Sequence, residues 1–180
     1  MNWRRLFGRP AARLRLSPEL RQRIRSSFDE ASRDEEHFPS TIDPRIVHVR
    51  LVLEHLGELR NGRALDAGCG KGRFARILRE RRPEAEIWGL DISTAMLRHL
   101  PPGIHACAGS LTSLPFRDAS FDGAYAVESL EHAVEIETAV AELCRVVKPG
   151  GRIVVIDKNA AHFGRLRTPE WERWFTRREL

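Results

Sequence analysis

The chain has 180 residues, of which 42% are hydrophobic and 31% are charged, and this balance is typical of a single soluble domain with one hydrophobic core. No apolar stretch approaches the ~20 residues that a membrane-spanning helix needs, and the N-terminus lacks the apolar core of a secretion signal. The three cysteines are odd in number and lack the spacing of a metal site. We therefore expect a reducing, cytoplasmic environment.

The net charge of +5 is unevenly distributed along the chain. Eight arginines fall within the first 25 residues, where Glu19 is the only acidic residue. A solvated, arginine-rich leader is the favoured interpretation, and a peripheral contact with membrane phospholipid is the second. Binding to nucleic acid is not expected.

Prolines, glycines and changes of pattern divide the chain into three segments. Residues 1–43 are predicted to form a basic helical appendage, and residues 44–160 alternate between strand and helix patterns. Residues 161–180 are expected to contain a C-terminal helix that begins near Thr168, at the start of a truncated segment.

Within these segments the predicted elements follow one another in a regular order. Ser17 is expected to cap a helix that runs from Pro18 toward Ala31, and Asp43 to cap the helix before the first strand. The later alternation of strand and helix predicts a doubly wound, mostly parallel α/β sheet. The predicted strands are 63–67, 86–90, 104–108, 121–127 and 152–157, and the helices between them are 72–82, 93–100 and 135–147.

A glycine-dense turn joins the first of these strands to its helix. Gly68, Gly70 and Gly72 allow a sharp turn and a close approach of a ligand to the backbone. The helix that follows presents free N–H groups and a partial positive charge. Such a turn is the cofactor end of a doubly wound sheet, although similar turns also occur without a ligand.

An acidic residue strengthens the functional interpretation. Asp91 ends the next apolar run, close to the ~20-residue offset at which an acid meets ribose hydroxyls. The G-x-G-x-G spacing differs from the G-x-G-x-x-G fingerprint of dinucleotide-binding proteins, which would require a small residue in place of Arg73.

Four pieces of sequence, in this order, resemble the class I S-adenosylmethionine (SAM)-dependent methyltransferases of the type 11 group. They are LDAGCGKGRFA, GLDIS, LPFRDASFD and LCRVVKPGGRIVVID. The resemblance covers residues 64–159 and implies a Rossmann-like sheet. Two of the family's seven strands are absent from the predicted elements, so we expect either a fragment or an open sheet edge that an oligomeric partner covers.

The resemblance implies a role for each residue at the ends of the strands. Asp66 would contact the amino-acid part of SAM, Asp91 both ribose hydroxyls, and Ser110 the adenine amino group. Turn capping by Asp66 or Asp91, and a core position for Met96, are the alternatives. Cys69 is interpreted as a small residue in the turn and not as a nucleophile. The predicted cofactor contacts are Asp66, Gly68, Cys69, Gly70, Asp91, Ile92, Met96, Ser110, Leu111 and Val127.

The run Glu128-Ser129-Leu130-Glu131-His132 follows the fourth strand. On a helical turn, Glu128, Glu131 and His132 would share one face, and such a ligand set suits Mg²⁺ or Mn²⁺. The run resembles that of the ubiquinone-pathway O-methyltransferases and of the small-RNA 2′-O-methyltransferases, where it relates to a metal. We rank His132 first as a general base or pocket residue, together with Glu128, and second as a metal ligand.

The predicted function is SAM-dependent methyl transfer to a small-molecule or lipid-like acceptor, at oxygen rather than nitrogen. One alternative is a non-catalytic methyltransferase-fold subunit that pairs through the open sheet edge. The other is a nicotinamide-dependent oxidoreductase, against which the glycine spacing and Arg73 argue.

Overall fold

The computed structural model describes residues 15–59, 61–160, 168–176 and 178. These residues contain one five-stranded sheet with the order β3-β2-β1-β4-β5, and each neighbouring pair is parallel. The predicted fold class is therefore confirmed. The strands are β1 (Arg63–Ala67), β2 (Glu86–Asp91), β3 (Ile104–Ala108), β4 (Phe121–Val127) and β5 (Val147–Ile156).

The helices lie between these strands and before them. The prediction for the first helix is confirmed, and the Ser17 hydroxyl caps it by accepting from the Leu20 N–H at 3.2 Å. The prediction that Asp43 caps the second helix is wrong: Ile46 is the N-cap, because Asp43 instead binds the backbone and guanidinium of Arg45. The helices are α1 (Pro18–Ala31), α2 (Val47–Leu56), α3 (Arg73–Arg81), α4 (Thr94–Leu97) and α5 (Ile136–Val146), and a 3₁₀ turn spans Leu130–His132.

The hydrophobic core has two parts, one on each face of the sheet. On one face α2 and α3 bury Val52 and Leu78 against β1, β2 and β4, and on the other α5 buries Leu143 against β1 and β4. Full burial of one such side chain stabilises the fold by about 1.5–3 kcal/mol. This packing fixes the strands, and therefore the loops that follow their carboxyl ends.

Strand β5 begins earlier than predicted. Val147 pairs with Phe121, and the regular ladder resumes only where Arg152 pairs with Gly123. The register shifts across the intervening Lys148-Pro149-Gly150-Gly151, which form a bulge within the strand.

The C-terminal segment differs from its prediction. The described residues 168–176 contain no helix. Instead Phe175 forms a parallel bridge with Asn159 and is buried in the α5 core, and the Arg173 N–H donates to the Glu131 carbonyl at 2.8 Å. These tertiary contacts outweigh the local helical preference.

The most basic part of the N-terminal appendage, with Arg4, Arg5, Arg9 and Arg13, lies outside the described residues. None of the described helices is both long and apolar enough to cross a membrane.

Candidate active site

A cavity of about 430 Å³ lies at the carboxyl ends of the strands. Parallel strands end at the same edge of a sheet, so residues far apart in sequence meet there. Every residue predicted to bind cofactor, metal or acceptor lines this cavity. Ile92 and Met96 follow β2, Ser110 and Leu111 follow β3, and Val127 ends β4.

The glycine turn, residues 68–72, forms the floor of the cavity. Gly68 and Gly70 have φ of +79° and +53°, a region that favours glycine. A Cβ atom at Gly68 would lie 2.4 Å from the Ser129 Cβ, whereas one at Gly70 would meet nothing within 4 Å. The two glycines therefore differ in purpose: Gly68 lets β1 and the β4 loop pack, and Gly70 leaves space above the backbone.

Asp91 ties this turn to β2. Its Oδ2 atom accepts from the Gly70 N–H at 2.8 Å, and its Oδ1 atom from the Ser93 N–H at 2.9 Å. Burial raises the pKa of Asp91 above its ordinary value, although both backbone donors favour the charged form. The carboxylate therefore braces the loop, and each oxygen keeps a lone pair for a further donor.

Asp66 differs from Asp91 because one of its oxygens lacks such a partner among the described residues. Its side chain is buried, and its Oδ2 atom has no hydrogen-bond partner among the described residues. Burial, with a smaller contribution from the charge of Asp91, raises the pKa of Asp66 to about 7. A buried acceptor of this kind fits a charged donor such as the ammonium group of SAM.

Cys69 lies between these acids at the cavity wall. Burial raises the pKa of its thiol well above the ordinary value, so the thiol stays protonated. This agrees with the interpretation of Cys69 as a packing residue. The open floor at Gly70 and the two carboxylates together fit SAM, and we call this part of the cavity the cofactor end.

The predicted convergence of Glu128, Glu131 and His132 is wrong for Glu128. Glu128 has a φ of +52°, and its carboxylate accepts from the Arg73 guanidinium at 2.7 Å. The backbone is therefore not helical at Glu128, and the 3₁₀ turn begins only at Leu130.

The third member of the cluster is Glu172. Single ligand atoms of Glu131, His132 and Glu172 all lie within 4.8 Å of one another. Lys158 forms hydrogen bonds to both acids: its Nζ atom donates to Glu131 at 2.7 Å and to Glu172 at 3.5 Å. We call these four residues the acceptor end of the cavity.

His132 is largely surrounded by protein. Burial lowers the pKa of its imidazole to about 4, so the ring is neutral at neutral pH. Its Nε2 atom lies 3.5 Å from a Glu131 oxygen, and Phe28 of α1 packs edge-on against the ring with centroids 5.2 Å apart. A neutral imidazole in this position can accept a hydrogen bond or a proton from a hydroxyl group.

Helix α1 crosses the cavity, and polar contacts fasten it to the core. Asp29 accepts from the Ser93 hydroxyl at 2.6 Å and from the Ala95 N–H at 3.2 Å. Arg25 donates to the Ile92 carbonyl at 3.1 Å. These contacts were not predicted, because no local sequence pattern indicates which polar residues of a surface helix meet the core.

Lys71 forms another link to the N-terminal segment, and this link was not predicted from the sequence. Its side chain is only 1% exposed, and its Nζ atom donates to the Glu35 carboxylate at 2.6 Å and to the Asp34 carbonyl at 3.1 Å. The segment after α1 is therefore joined to the glycine turn. In the sequence, the position of Lys71 between two glycines of the turn is the signal for this contact. A lysine that is buried in such a turn needs acceptors near its ammonium group.

Residues 65–155, about half of the chain, match the protein family described as "Methyltransferase domain". The chain belongs to this methyltransferase family. The resemblance to class I SAM-dependent methyltransferases is thereby confirmed, and it agrees with the parallel sheet and with a cavity at the strand ends.

Two curated relatives are O-methyltransferases by name. The chain is 38% identical over 129 residues to the O-methyltransferase cnsE of Penicillium expansum, covering 65% of this chain and 46% of that protein. It is 31% identical over 148 residues to the malonyl-acyl-carrier-protein O-methyltransferase of Dechloromonas aromatica, covering 81% of this chain and 54% of that protein. The chain thus spans about half the length of the curated relatives it matches.

The fold is also shared with solved structures. The cyclase SpnF is similar with a TM-score of 0.75 at 24% identity, over 89% of this chain and 68% of that chain. A likeness at this identity shows the fold alone. Because that protein is a [4+2]-cyclase, the methyltransferase fold by itself does not decide the reaction.

Proposed function

We propose that the chain is the core of a SAM-dependent methyltransferase that methylates an oxygen of a small-molecule or lipid-like acceptor. The observation that carries the proposal is the single cavity in which a glycine turn and two buried carboxylates face a neutral imidazole. Membership of the methyltransferase family supports the cofactor, and the O-methyltransferase relatives support the choice of oxygen.

The cofactor end binds and orients. Asp91 would accept from the ribose hydroxyls, and Asp66 from the ammonium group. When bound, SAM would supply a methyl group from its sulfonium sulfur, and the sulfur would keep the electron pair of the broken S–C bond as the O–C bond formed. The acidic cofactor end favours that positive charge.

The acceptor end handles the proton. A hydroxyl acceptor loses one proton when its oxygen takes the methyl group, and His132 would receive it before passing it to solvent. Alignment of the reacting groups can supply about 7–11 kcal/mol, and Phe28 on α1 contributes by packing against His132. Glu128 would act indirectly, since its carboxylate holds Arg73 beside the glycine turn.

A Mg²⁺ ion would have to compete with Lys158. One oxygen of Glu131 and one of Glu172 already accept from the Lys158 ammonium. We therefore propose that Lys158 and His132, and not a metal ion, orient the acceptor hydroxyl group. An assay with and without Mg²⁺ distinguishes these two possibilities.

We also propose a cytoplasmic location, a peripheral membrane contact and an oligomeric state for the chain. The odd number of cysteines supports a cytoplasmic location. The basic N-terminus supports a peripheral contact with membrane phospholipid. Strand β5 ends the order of the described sheet, and this supports an oligomer formed along it.

Isothermal titration with SAM and with its product S-adenosylhomocysteine (SAH) tests the proposal. We expect Asp91→Asn to weaken binding at least tenfold, because each charge-assisted hydrogen bond contributes about 1.5–3 kcal/mol. Asp43→Asn is the matched control, since Asp43 pairs with Arg45 away from the cavity. A folded wild-type chain that binds neither compound, or an Asp91→Asn variant that binds like the wild type, would overturn the proposal.

A further inference from the structure

Carboxylates pair with every lysine and arginine that the described part of the chain places at the cavity wall. Among the described residues, Lys71, Arg73 and Lys158 line the cavity. Lys71 pairs with Glu35 at 2.6 Å, and Arg73 with Glu128 at 2.7 Å. Each ammonium or guanidinium group is therefore neutralised within the protein.

Lys158 is the cation at the acceptor end, and two acids share it. It lies 2.7 Å from Glu131 and 3.5 Å from Glu172, so one formal positive charge faces two formal negative charges. The Glu131 and Glu172 side chains are 1% and 7% exposed. Solvent screens such buried charges little.

An acceptor that carries a carboxylate would meet this excess directly. It would place a third carboxylate beside two, or take Lys158 from partners that are buried and would then lack a counter-ion. A neutral acceptor avoids both costs, and a cationic one gains attraction.

Aromatic rings beside this cluster indicate the shape of the acceptor. Phe28 stands edge-on to Phe38 and to His132, with ring centroids 6.1 Å and 5.2 Å apart, and all three rings line the cavity. Ring edges in this arrangement pack well against another aromatic ring.

We propose that Glu131 and Glu172, by sharing Lys158, make the acceptor end selective for neutral or cationic aromatic hydroxyl compounds and against carboxylates. This inference rests on the proposed function of the same cavity. A methyltransferase that esterifies an acid would need an unpaired cation at this end for its carboxylate acceptor, and the described residues of the cavity wall offer none.

Three probes with one catechol ring test the inference: methyl 3,4-dihydroxybenzoate is neutral, 3,4-dihydroxybenzoate is anionic, and dopamine is cationic. Their dissociation constants are measured by calorimetry on the chain saturated with SAH, so no turnover is needed. We expect the ester and dopamine to bind at least tenfold more tightly than the carboxylate.

Glu172→Gln identifies the residues responsible. Glutamine retains an acceptor for the Trp174 N–H that bonds to Glu172 but removes the excess charge, so the ester-to-carboxylate ratio should fall to about threefold or less. Glu170→Gln is the matched control, because Glu170 is an exposed residue that pairs with Arg23, and it should keep the wild-type ratio.

The outcomes are separable from those of the proposed function. If the wild-type chain fails to bind SAH, the proposed function itself is overturned. If it binds SAH, the selectivity is overturned by tighter binding of the carboxylate, by an unchanged ratio in Glu172→Gln, or by the failure of all three probes to bind.

Discussion

Two aspartates at neighbouring strand ends have different surroundings. Asp91 accepts from two backbone N–H groups, while the Oδ2 atom of Asp66 is buried without a partner among the described residues. The first is therefore held in its loop by both oxygens, whereas one oxygen of the second is left for a ligand. The difference makes the ionisation state of Asp66 more sensitive to a ligand than that of Asp91.

We expect Asp66 to make the stability of the ligand-free chain pH-dependent. Its folded-state pKa of about 7 lies above the ordinary value of 3.8, so between these two values only the unfolded chain ionises. The free energy of unfolding should fall as the pH rises through this window, by at most about 1.4 kcal/mol per pH unit, and then level off.

Urea unfolding of the wild type and of Asp66→Asn at pH 5, 6, 7 and 8 isolates this effect. The stability of the variant relative to the wild type should increase from pH 5 to pH 7. A difference between the two proteins that is independent of pH would show that Asp66 ionises normally.

The sequence predicted the residues of the cavity better than their pairings. Strand ends determine which side chains reach the cavity, and apolar runs fix the strand ends. Pairings depend on backbone details and on distant segments: the φ of +52° at Glu128 turns it toward Arg73, and Glu172 arrives through a segment predicted to be helical. No local pattern contains that information.

At the scale of elements, the glycine turn combines two requirements. Gly68 lies against Ser129, whose hydroxyl donates to the Ala67 carbonyl at 2.8 Å. Gly70 faces open space. One position serves packing between β1 and the loop after β4, and the other serves access to the backbone.

We therefore expect two alanine substitutions in this turn to act differently. Gly70→Ala should cost only about 1 kcal/mol, for a positive φ, yet it should weaken SAH binding because the new methyl group enters the cavity. Gly68→Ala should cost about 2–4 kcal/mol, since overpacking against Ser129 adds to the same backbone strain.

Urea unfolding and calorimetry with SAH measure the two effects on each variant. Equal destabilisation by the two substitutions would contradict the separate purposes of these glycines. Unchanged SAH binding by Gly70→Ala would contradict the placement of the cofactor above the turn.

The bounds of an element were predictable where an apolar run stops at a residue that disfavours its continuation. The predicted bounds of β1, β3 and β4 match the structure, because each apolar run ends there at a glycine or a charged residue. The start of β5 was not predictable, because Val147 joins the sheet through its pairing with Phe121 across a bulge. Long-range pairing of this kind leaves no local signal.

At the scale of the whole molecule, α1 is the element that joins the appendage to the core. It forms part of the cavity wall through Ile24 and Phe28, and Asp29 fastens it to the start of α4. Cofactor binding and the docking of α1 should therefore stabilise each other, because both depend on the residues that follow β2.

We expect Asp29→Ala to loosen α1. Loss of two hydrogen bonds to a carboxylate should expose Arg21, Arg23 and Arg25 to trypsin more often, and it should weaken SAH binding severalfold. Glu30→Ala is the matched control, because Glu30 is an exposed residue of the same helix.

The measurements are the cleavage rate by mass spectrometry, with and without SAH, and the SAH dissociation constant. SAH should slow cleavage in the wild type more than in Asp29→Ala. Equal cleavage rates for the Asp29 and Glu30 variants would rule out this fastening.

The two ends of the cavity come from different stretches of the chain. The floor and its carboxylates lie within residues 66–111, whereas Lys158 and Glu172 reach the opposite end from beyond β5. Mutations in the later stretch can therefore change the acceptor end of the cavity while the cofactor end stays intact. Under the proposed function, acceptor preference and cofactor use can be altered independently.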